Sequence, residues 1–240
     1  EYNGFNDRRV MDAFIRYGKK MIDCFGDRVK YWLTFNEQNI FHMPEAFRIS
    51  GYMKGEKTLR ELYELQHHTM VAHMALTEYL HQTKPGKLMG GMLAHQLIYP
   101  ATCKPRDIFC AQQYDEFLNQ NLLRVFAGQG YSPAVMAVVE QEGFGDIYRA
   151  EDLALLARTR NDYMAFSYYA SKTLDSDAIP EGTPVNYYLL HGEKNNPYLK
   201  ATEWNWQIDP LGFRTIITRY ANDWRMPVFP IENGIGVIES

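Results

Sequence analysis

The sequence has few cysteines, no long apolar run and no surplus of positive charge. Cys24, Cys103 and Cys110 are an odd number at spacings that fit neither a zinc site nor a disulfide framework, which points to a reducing compartment. No apolar stretch approaches the ~20 residues that a membrane-crossing helix needs. Net charge is −4 over 240 residues with both signs mixed along the chain, so the basic footprint that nucleic acid or anionic lipid demands is missing. Internal repeats, low-complexity tracts and linkers are absent too, which leaves a single domain over 1–240 and small-molecule chemistry as the default. Glu1 reads as the inside of a domain, so the lack of a leader carries no information, and nothing speaks to oligomeric state.

What is present is core-forming material, 46% hydrophobic and 14% aromatic, in alternating helical and strand-like stretches. Apolar residues at helical spacing from Asp7 to Phe25 are closed by Gly26 as a C-terminal cap, and a strand over Lys30–Asn36 follows. Residues 38–57 show no period and read as a pocket wall. Thr58 and Glu61 have the capping-box form and start a helix that Pro85-Gly86 ends; Lys87–Gln96 is the next strand. Asp107 is expected to cap a helix running to Val125, with shorter helices over 133–142 and 150–160. The alternating stretch 162–169 reads as a strand, and Val185–Leu189 as a short one. Asp209-Pro210 opens a helix to Arg225, ahead of the strand 227–231. Helix and strand alternate four times, which favours parallel strands with right-handed crossovers.

Two of these strands end in carboxylates. Tyr31-Trp32-Leu33-Thr34-Phe35-Asn36-Glu37 delivers an amide and a carboxyl where the strand stops, and Pro227-Val228-Phe229-Pro230-Ile231 runs into Glu232-Asn233-Gly234. In a parallel α/β sheet or barrel the C-terminal strand ends share one face, so Glu37 and Glu232 are candidates to meet across one pocket. The alternative for either is an ordinary strand-end carboxylate in a salt bridge.

Thr34-Phe35-Asn36-Glu37 and Glu232-Asn233-Gly234, in this order, resemble the family 1 glycoside hydrolases. The resemblance implies an α/β fold, a (β/α)8 TIM barrel of eight strands, of which this chain covers roughly the middle four. Strands before Glu1 and after Ser240 are implied as well. It further implies Glu37 as general acid and then base, and Glu232 as the nucleophile that forms a glycosyl-enzyme ester with retention of configuration. Asn36 matches the amide that binds the sugar 2-hydroxyl, Tyr169 the tyrosine that holds the nucleophile, and Trp206 the indole lining the leaving-group side. A turn amide, a core aromatic and plain packing are the alternatives for these three. No cofactor is implied, since two carboxyls suffice.

Within the family, Phe166-Ser167-Tyr168-Tyr169, Tyr99-Pro100-Ala101-Thr102-Cys103 with Pro105 and Asp107, and Trp206 to Pro210 with Gly212 resemble the 6-phospho-β-glucosidases. A small-molecule β-glycoside, 6-phosphorylated and met in the cytoplasm, is the expected substrate. An unphosphorylated β-glucosidase, a 6-phospho-β-galactosidase, and a non-catalytic fragment or sugar-binding relative are the alternatives. Gln38, Pro230 and Asn205 depart from the family pattern; a proline two residues before the nucleophile weakens strand pairing. His68 and His73, with Glu64, could suggest a metal, but a spacing of five misses the i, i+4 face of helical zinc sites, so none is expected. His42, His95 and His191 are candidates to touch the pocket.

Overall fold

The computed structural model describes residues 3–44 and 57–238. Helix α1 (Arg8–Phe25) starts where the Asp7 carboxylate accepts the Arg9 amide and stops at Gly26, which caps it in a right-handed conformation. Strand β1 (Tyr31–Leu33) follows, shorter than the expected 30–36 because the chain leaves the sheet at Thr34. The first part of the expected pocket wall is a buried 3₁₀ helix, Gln38–His42; residues 45–56 of that wall lie outside the described residues. Helix α2 (Leu59–Thr83) carries the full reciprocal capping box of Thr58 and Glu61. Then come β2 (Leu88–Ala94) and a short β3 (Ile98–Pro100).

Helix α3 (Pro105–Asp115) runs through a π-helical turn, Glu116–Gln120, into α4 (Asn121–Phe126). Asp107 is not its cap. Lys104 holds that position, and the buried Asp107 carboxylate instead accepts from Thr102 and from the Ser176 amide and hydroxyl. Burial pushes this carboxyl up, but those hydrogen bonds outweigh it and hold the pKa at about 2. Helices α5 (Pro133–Gln141) and α6 (Ala150–Arg158) lead to β4 (Tyr163–Tyr168). Its pattern is buried at every position instead of alternating, as expected of a strand covered on both faces.

After β5 (Lys172–Leu174), the expected strand at Val185–Leu189 is helical. A 3₁₀ turn, Val185–Tyr187, starts behind Pro184 and continues into α7 (Tyr188–Gly192). The buried Asn186 amide fixes that turn by donating to the His42 carbonyl at 2.7 Å. The two-residue β6 (Glu193–Lys194) follows. Helix α8 (Pro210–Arg219), capped by the Asp209 carboxylate on the Gly212 amide, ends in a second π-helical turn, Tyr220–Trp224, and a left-handed Arg225. The last strand is β7 (Val228–Asn233).

The main sheet has the order β1-β2-β4-β7, all parallel, as the alternation of elements implied. A small sheet, β3-β5-β6, sits beyond its C-terminal end. Helices α2, α4 and α8 cover the outer face through Met70, Met74, Leu122, Phe126 and Ile216, packed on Leu93, Met164 and Phe166. Rings approach β2 so closely that a Cβ on Gly90 or Gly91 would collide with Tyr163 or Phe126, which is why this strand carries two glycines.

Five of the seven histidines, His42, His67, His68, His73 and His95, are buried. Burial holds His68 and His73 down at about 4, and His42 and His95 at about 3. His67 is lowered as well; its Nε2 meets Asp152, which the Arg8 guanidinium also grips at 2.7 and 2.9 Å. Burial opposes the Asp152 anion, but hydrogen bonds from His67 and Arg8 prevail and keep its carboxyl well below the usual range. All these pKa values are lower folded than unfolded, so the unfolded chain binds more protons as pH falls below about 6.5. Stability is therefore complete near pH 7 and is lost progressively toward pH 4, by up to ~1.4 kcal/mol per pH unit for each proton taken up. Urea midpoints measured at intervals from pH 7 to pH 4 should fall throughout; a flat profile contradicts the buried neutral histidines.

Candidate active site

The turn carrying Glu37 is anchored before it is bent. Phe35 stacks on Phe14 at 4.7 Å and meets Phe5 and Phe41 edge-on, while the Thr34 hydroxyl bonds His73 Nδ1 at 2.6 Å. Beyond it, Asn39 pairs its side-chain amide with both backbone groups of Ala94, at 2.7 and 2.8 Å. Between these anchors Glu37 adopts a left-handed backbone, φ 43° and ψ 54°. That conformation costs a non-glycine residue roughly 1–2 kcal/mol and persists only where surrounding contacts over-determine it. Its carboxylate Oε1 accepts a short hydrogen bond from the Ser167 hydroxyl.

Glu232 reaches the same place from β7 through an irregularity. Phe166 of β4 pairs with Pro230, but the next residue, Ser167, pairs with Glu232, so Ile231 is an extra residue in the strand. Such a bulge shifts the side-chain alternation by one. In unbroken register Ser167 would oppose Ile231 and Glu232 would point into the helix layer. The expectation that Pro230 weakens pairing is thus met at the point where pairing slips. Tyr169 donates its phenol to Glu232 Oε2, and Asn233 Nδ2 donates to the Tyr168 carbonyl at 2.7 Å.

A cavity of about 140 Å³ lies at this end of the sheet, lined by Glu37, Ala94, His95, Ser167, Tyr169 and Trp206 among others. Trp206 meets Tyr169 with ring centroids 5.0 Å apart, and Trp204 meets Trp206 edge-on at 5.4 Å. Asn205, between the tryptophans, is left-handed at φ 60°, a conformation that asparagine tolerates better than most residues, which accounts for its standing where glycine was expected. Asn36 is exposed on the Glu37 turn and does not line this cavity. The geometry therefore joins Glu37, Tyr169 and Trp206 around one cavity, with Glu232 attached through Tyr169 and Asn36 at the side.

Of the candidate histidines, His95 lines the cavity with its ring turned to Tyr220 in the helix layer, at 2.7 Å. His42 is buried between Tyr63 and Phe117, and His191 is exposed on α7. His68 is engaged by the Phe5 carbonyl, and His73 by Thr34 and Asn161. Among the described residues no group of three or more His, Cys, Asp or Glu side chains is placed to hold a metal.

Several working residues carried no sequence signal of their role. Ser167 stood out only as a subfamily mark. Asp209, expected as a helix cap, is also a hub: its Oδ2 accepts from Tyr99 at 2.9 Å and Ser171 at 2.7 Å, and its carbonyl accepts from Tyr168 at 2.9 Å. The three subfamily stretches thus meet at one residue, whose carboxylate and carbonyl tie the Trp206 loop to β3 and β4.

Two carboxyls near one cavity, each hydrogen-bonded by a hydroxyl, can deliver a proton from one side and an attacking oxygen from the other. Both act on Tyr169. Its hydrogen bond to Glu232 is the main cause that pushes the phenol up to about 12, with burial and the charges of Glu232 and Glu37 adding to it. The phenol therefore stays a donor at any working pH. In a Glu232→Gln variant the acceptor charge is gone, and Tyr169 should titrate lower, toward the ordinary value near 10; tyrosine ring carbon chemical shifts followed against pH check this.

The model of glycosyl hydrolase family 1 matches residues 1–240. The aryl-phospho-β-D-glucosidase BglH of Bacillus subtilis is 34% identical over 99% of this chain and 50% of its own length. The 6-phospho-β-glucosidase AscB of Escherichia coli is 32% identical over 98% of this chain and 49% of its own. Among solved structures, a GH1 β-glucosidase from Exiguobacterium antarcticum superposes with a TM-score of 0.81 at 22% identity, covering 96% of this chain and 50% of that one, and shows the fold. The AHE enzyme of Alicyclobacillus herbarius gives 0.80 at 24%, over 99% of this chain and 52% of its own. The chain spans about half the length of the curated relatives it matches, and its four parallel strands form half of a TIM barrel. With its motifs in order and the family model matched from end to end, the chain belongs to glycosyl hydrolase family 1.

Proposed function

We propose that this chain carries both catalytic carboxyls of a retaining glycosidase acting on 6-phospho-β-glucosides, working with the remaining strands of one barrel domain. The observation that carries the reading is Ser167, which bonds the Glu37 carboxylate while standing in register beside Glu232. Glu37 gives its proton to the departing glycosidic oxygen as a Glu232 oxygen attacks the anomeric carbon. The bond to the leaving group breaks and an ester to Glu232 forms. Glu37, now a base, takes a proton from water; the water oxygen attacks the same carbon and releases Glu232. Tyr169 orients Glu232 before attack, and its phenol is freed for the sugar once the ester has taken up the carboxylate charge.

Trp206 forms the leaving-group wall, and Asn36 on the Glu37 turn meets the sugar 2-hydroxyl. A larger cavity of about 450 Å³ adjoins the site, sharing Gln96 and Lys172 with it and adding Asn186, Asn195 and Asn205; it is polar enough to take a leaving group rich in hydroxyls. The phosphosugar preference is supported by the names of BglH and AscB and by the three stretches that converge on Asp209. A phosphorylated substrate is a cytoplasmic one, in keeping with the cysteine pattern; no helix among the described residues is long and apolar enough to cross a membrane. Among the described residues the edge strands β1 and β7 have one sheet neighbour each and expose Tyr31, Phe229 and Ile231, which supports the need for further strands.

Incubating the full-length protein with a 2-deoxy-2-fluoro-6-phospho-β-glucoside and mapping the labelled peptide tests the mechanism. Label is expected on Glu232, and label elsewhere during turnover refutes it. A 4-nitrophenyl glucoside should turn over at least about tenfold faster with its 6-phosphate than without, the worth of one charge-assisted contact or more. Equal rates, or a faster galacto epimer, transfer the protein to one of the neighbouring specificities. Tyr169→Phe should lower kcat about ten- to hundredfold through loss of nucleophile orientation.

A further inference from the structure

The Glu37 turn is held from behind by an amide that this chemistry does not use. Asn119 is fully buried in the π-helical turn Glu116–Gln120 between α3 and α4. A π turn inserts one residue into the helix, and here three consecutive residues, Phe117, Leu118 and Asn119, face inward. The Asn119 amide then reaches three partners. Its Nδ2 donates to the Gln96 carbonyl at 3.1 Å and to the Asp115 carboxylate at 2.8 Å, and its Oδ1 accepts from Asn39 Nδ2 at 3.3 Å.

Asn39, also fully buried, is the residue that pairs with both backbone groups of Ala94. Ala94 and Gln96 lie on either side of His95 in the wall of the cavity that contains Glu37. One amide thus links the Glu37 turn, the cavity wall and a carboxylate on α3, which Gln120 also holds at 3.1 Å and Arg219 of α8 approaches to 3.6 Å. Only an amide of this length serves, because the position needs donors and an acceptor at once. Without the clamp, Asn39 loses its orientation on Ala94, and the left-handed backbone at Glu37 is free to relax.

We infer that Asn119 is a positioning residue for the acid/base: through Asn39 it holds the Glu37 carboxyl against Ser167 and over the glycosidic oxygen. The inference rests on the glycosidase reading above for its kinetic consequence and on the hydrogen-bond geometry alone for its structural one. It makes Asn119 specific to proton transfer, since nucleophile orientation comes from Tyr169 on another strand.

Asn119→Leu and Asn39→Leu keep the approximate size of each side chain and remove both the amide donors and the carbonyl acceptor; the two single variants and the double are made in the full-length protein. On a phenyl 6-phospho-β-glucoside, whose leaving group needs a proton, kcat/KM should fall about ten- to hundredfold. On the 2,4-dinitrophenyl substrate, which departs without one, it should stay within about threefold. Azide, which attacks the glycosyl-enzyme without base assistance, should restore kcat on that second substrate. The double variant should be no worse than the more affected single. Equal losses on both substrates, or additive losses in the double, overturn the inference.

Amide hydrogen exchange supplies a readout free of activity. The Ala94 N–H, bonded to Asn39 Oδ1, should exchange at least about tenfold faster in Asn119→Leu while that of Met164 in the core of β4 is unchanged. Wild-type protection at Ala94 overturns the clamp whether or not the protein hydrolyses any glycoside. Inactivity of the wild type on every substrate, by contrast, removes the glycosidase reading and leaves the clamp to be decided by exchange. If Asn119→Leu does not fold, Asn39→Leu carries the same measurements from the other end.

Discussion

The register between β4 and β7 is the constraint on which the site depends. In a parallel pair, residues opposite each other point to one face, and a slip of one residue sends every side chain to the other. The extra residue at Ile231 turns Glu232 to the face that carries Ser167 and away from the helices. Pro230 is the residue at which this happens most cheaply, because it has no N–H to lose from the ladder. The placement of Glu232 is thus built on a local defect, and the fully buried β4 is what makes the defect reproducible: a strand covered on both faces has one way to sit.

Glu37 solves a different problem. It follows β1, and β2 lies between β1 and β4, so two strand spacings of ~4.8 Å separate its strand from the Ser167 hydroxyl that binds it. The turn after β1 has to lean across the end of β2. Phe35 anchors it on the near side, and Asn39 takes the place of a strand neighbour by pairing with the Ala94 backbone on the far side. The left-handed Glu37 is the bend between those two anchors. A strain of roughly 1–2 kcal/mol is offset by two backbone hydrogen bonds worth about 1 kcal/mol each, together with aromatic packing. Remove either anchor and the bend has no reason to form.

How much of this could be read from the amino acids follows from what each signal measures. The four main strands and their parallel order were legible because apolar runs alternated with helical stripes, and the Thr58 box and Asp209-Pro210 marked helix starts by local chemistry. The carboxyl pair was legible as motif. Hidden were features in which local preference and tertiary contact diverge. A π turn shares its apolar spacing with an α-helix, so neither Glu116–Gln120 nor Tyr220–Trp224 announced itself. The run at Val185–Leu189 looked strand-like because of one valine and two tyrosines, yet Pro184 and the Asn186 contact to His42 make it helical. Asp107 looked like a cap, but its partners Thr102 and Ser176 come from other segments. Lys30–Asn36 read as strand throughout, whereas its last residues have no partner strand to follow once they cross β2. Ser167 is a single hydroxyl in an apolar strand, and only the register gives it meaning.

Both carboxyls come from the two edge strands of the sheet, and both are positioned by groups on the central ones. The Glu37 turn is held by β2 through Asn39 and by β4 through Ser167, and Glu232 by Tyr169, the residue after β4. The central pair is the rigid part, buried on both faces and closed by α2, α4 and α8. The edges are not equivalent to it. Among the described residues β7 has a single partner strand and is half-exposed along its length, so its outer side is free to twist. A bulge already loosens that strand beside Glu232. The separation that decides between direct displacement and a water-mediated route, ~5–5.5 Å against ~6.5–9.5 Å, therefore depends on what packs against the far side of β7. On the proposed mechanism both reacting carboxyls come from these four strands, but the distance across which they act depends on how the outer side of β7 is held.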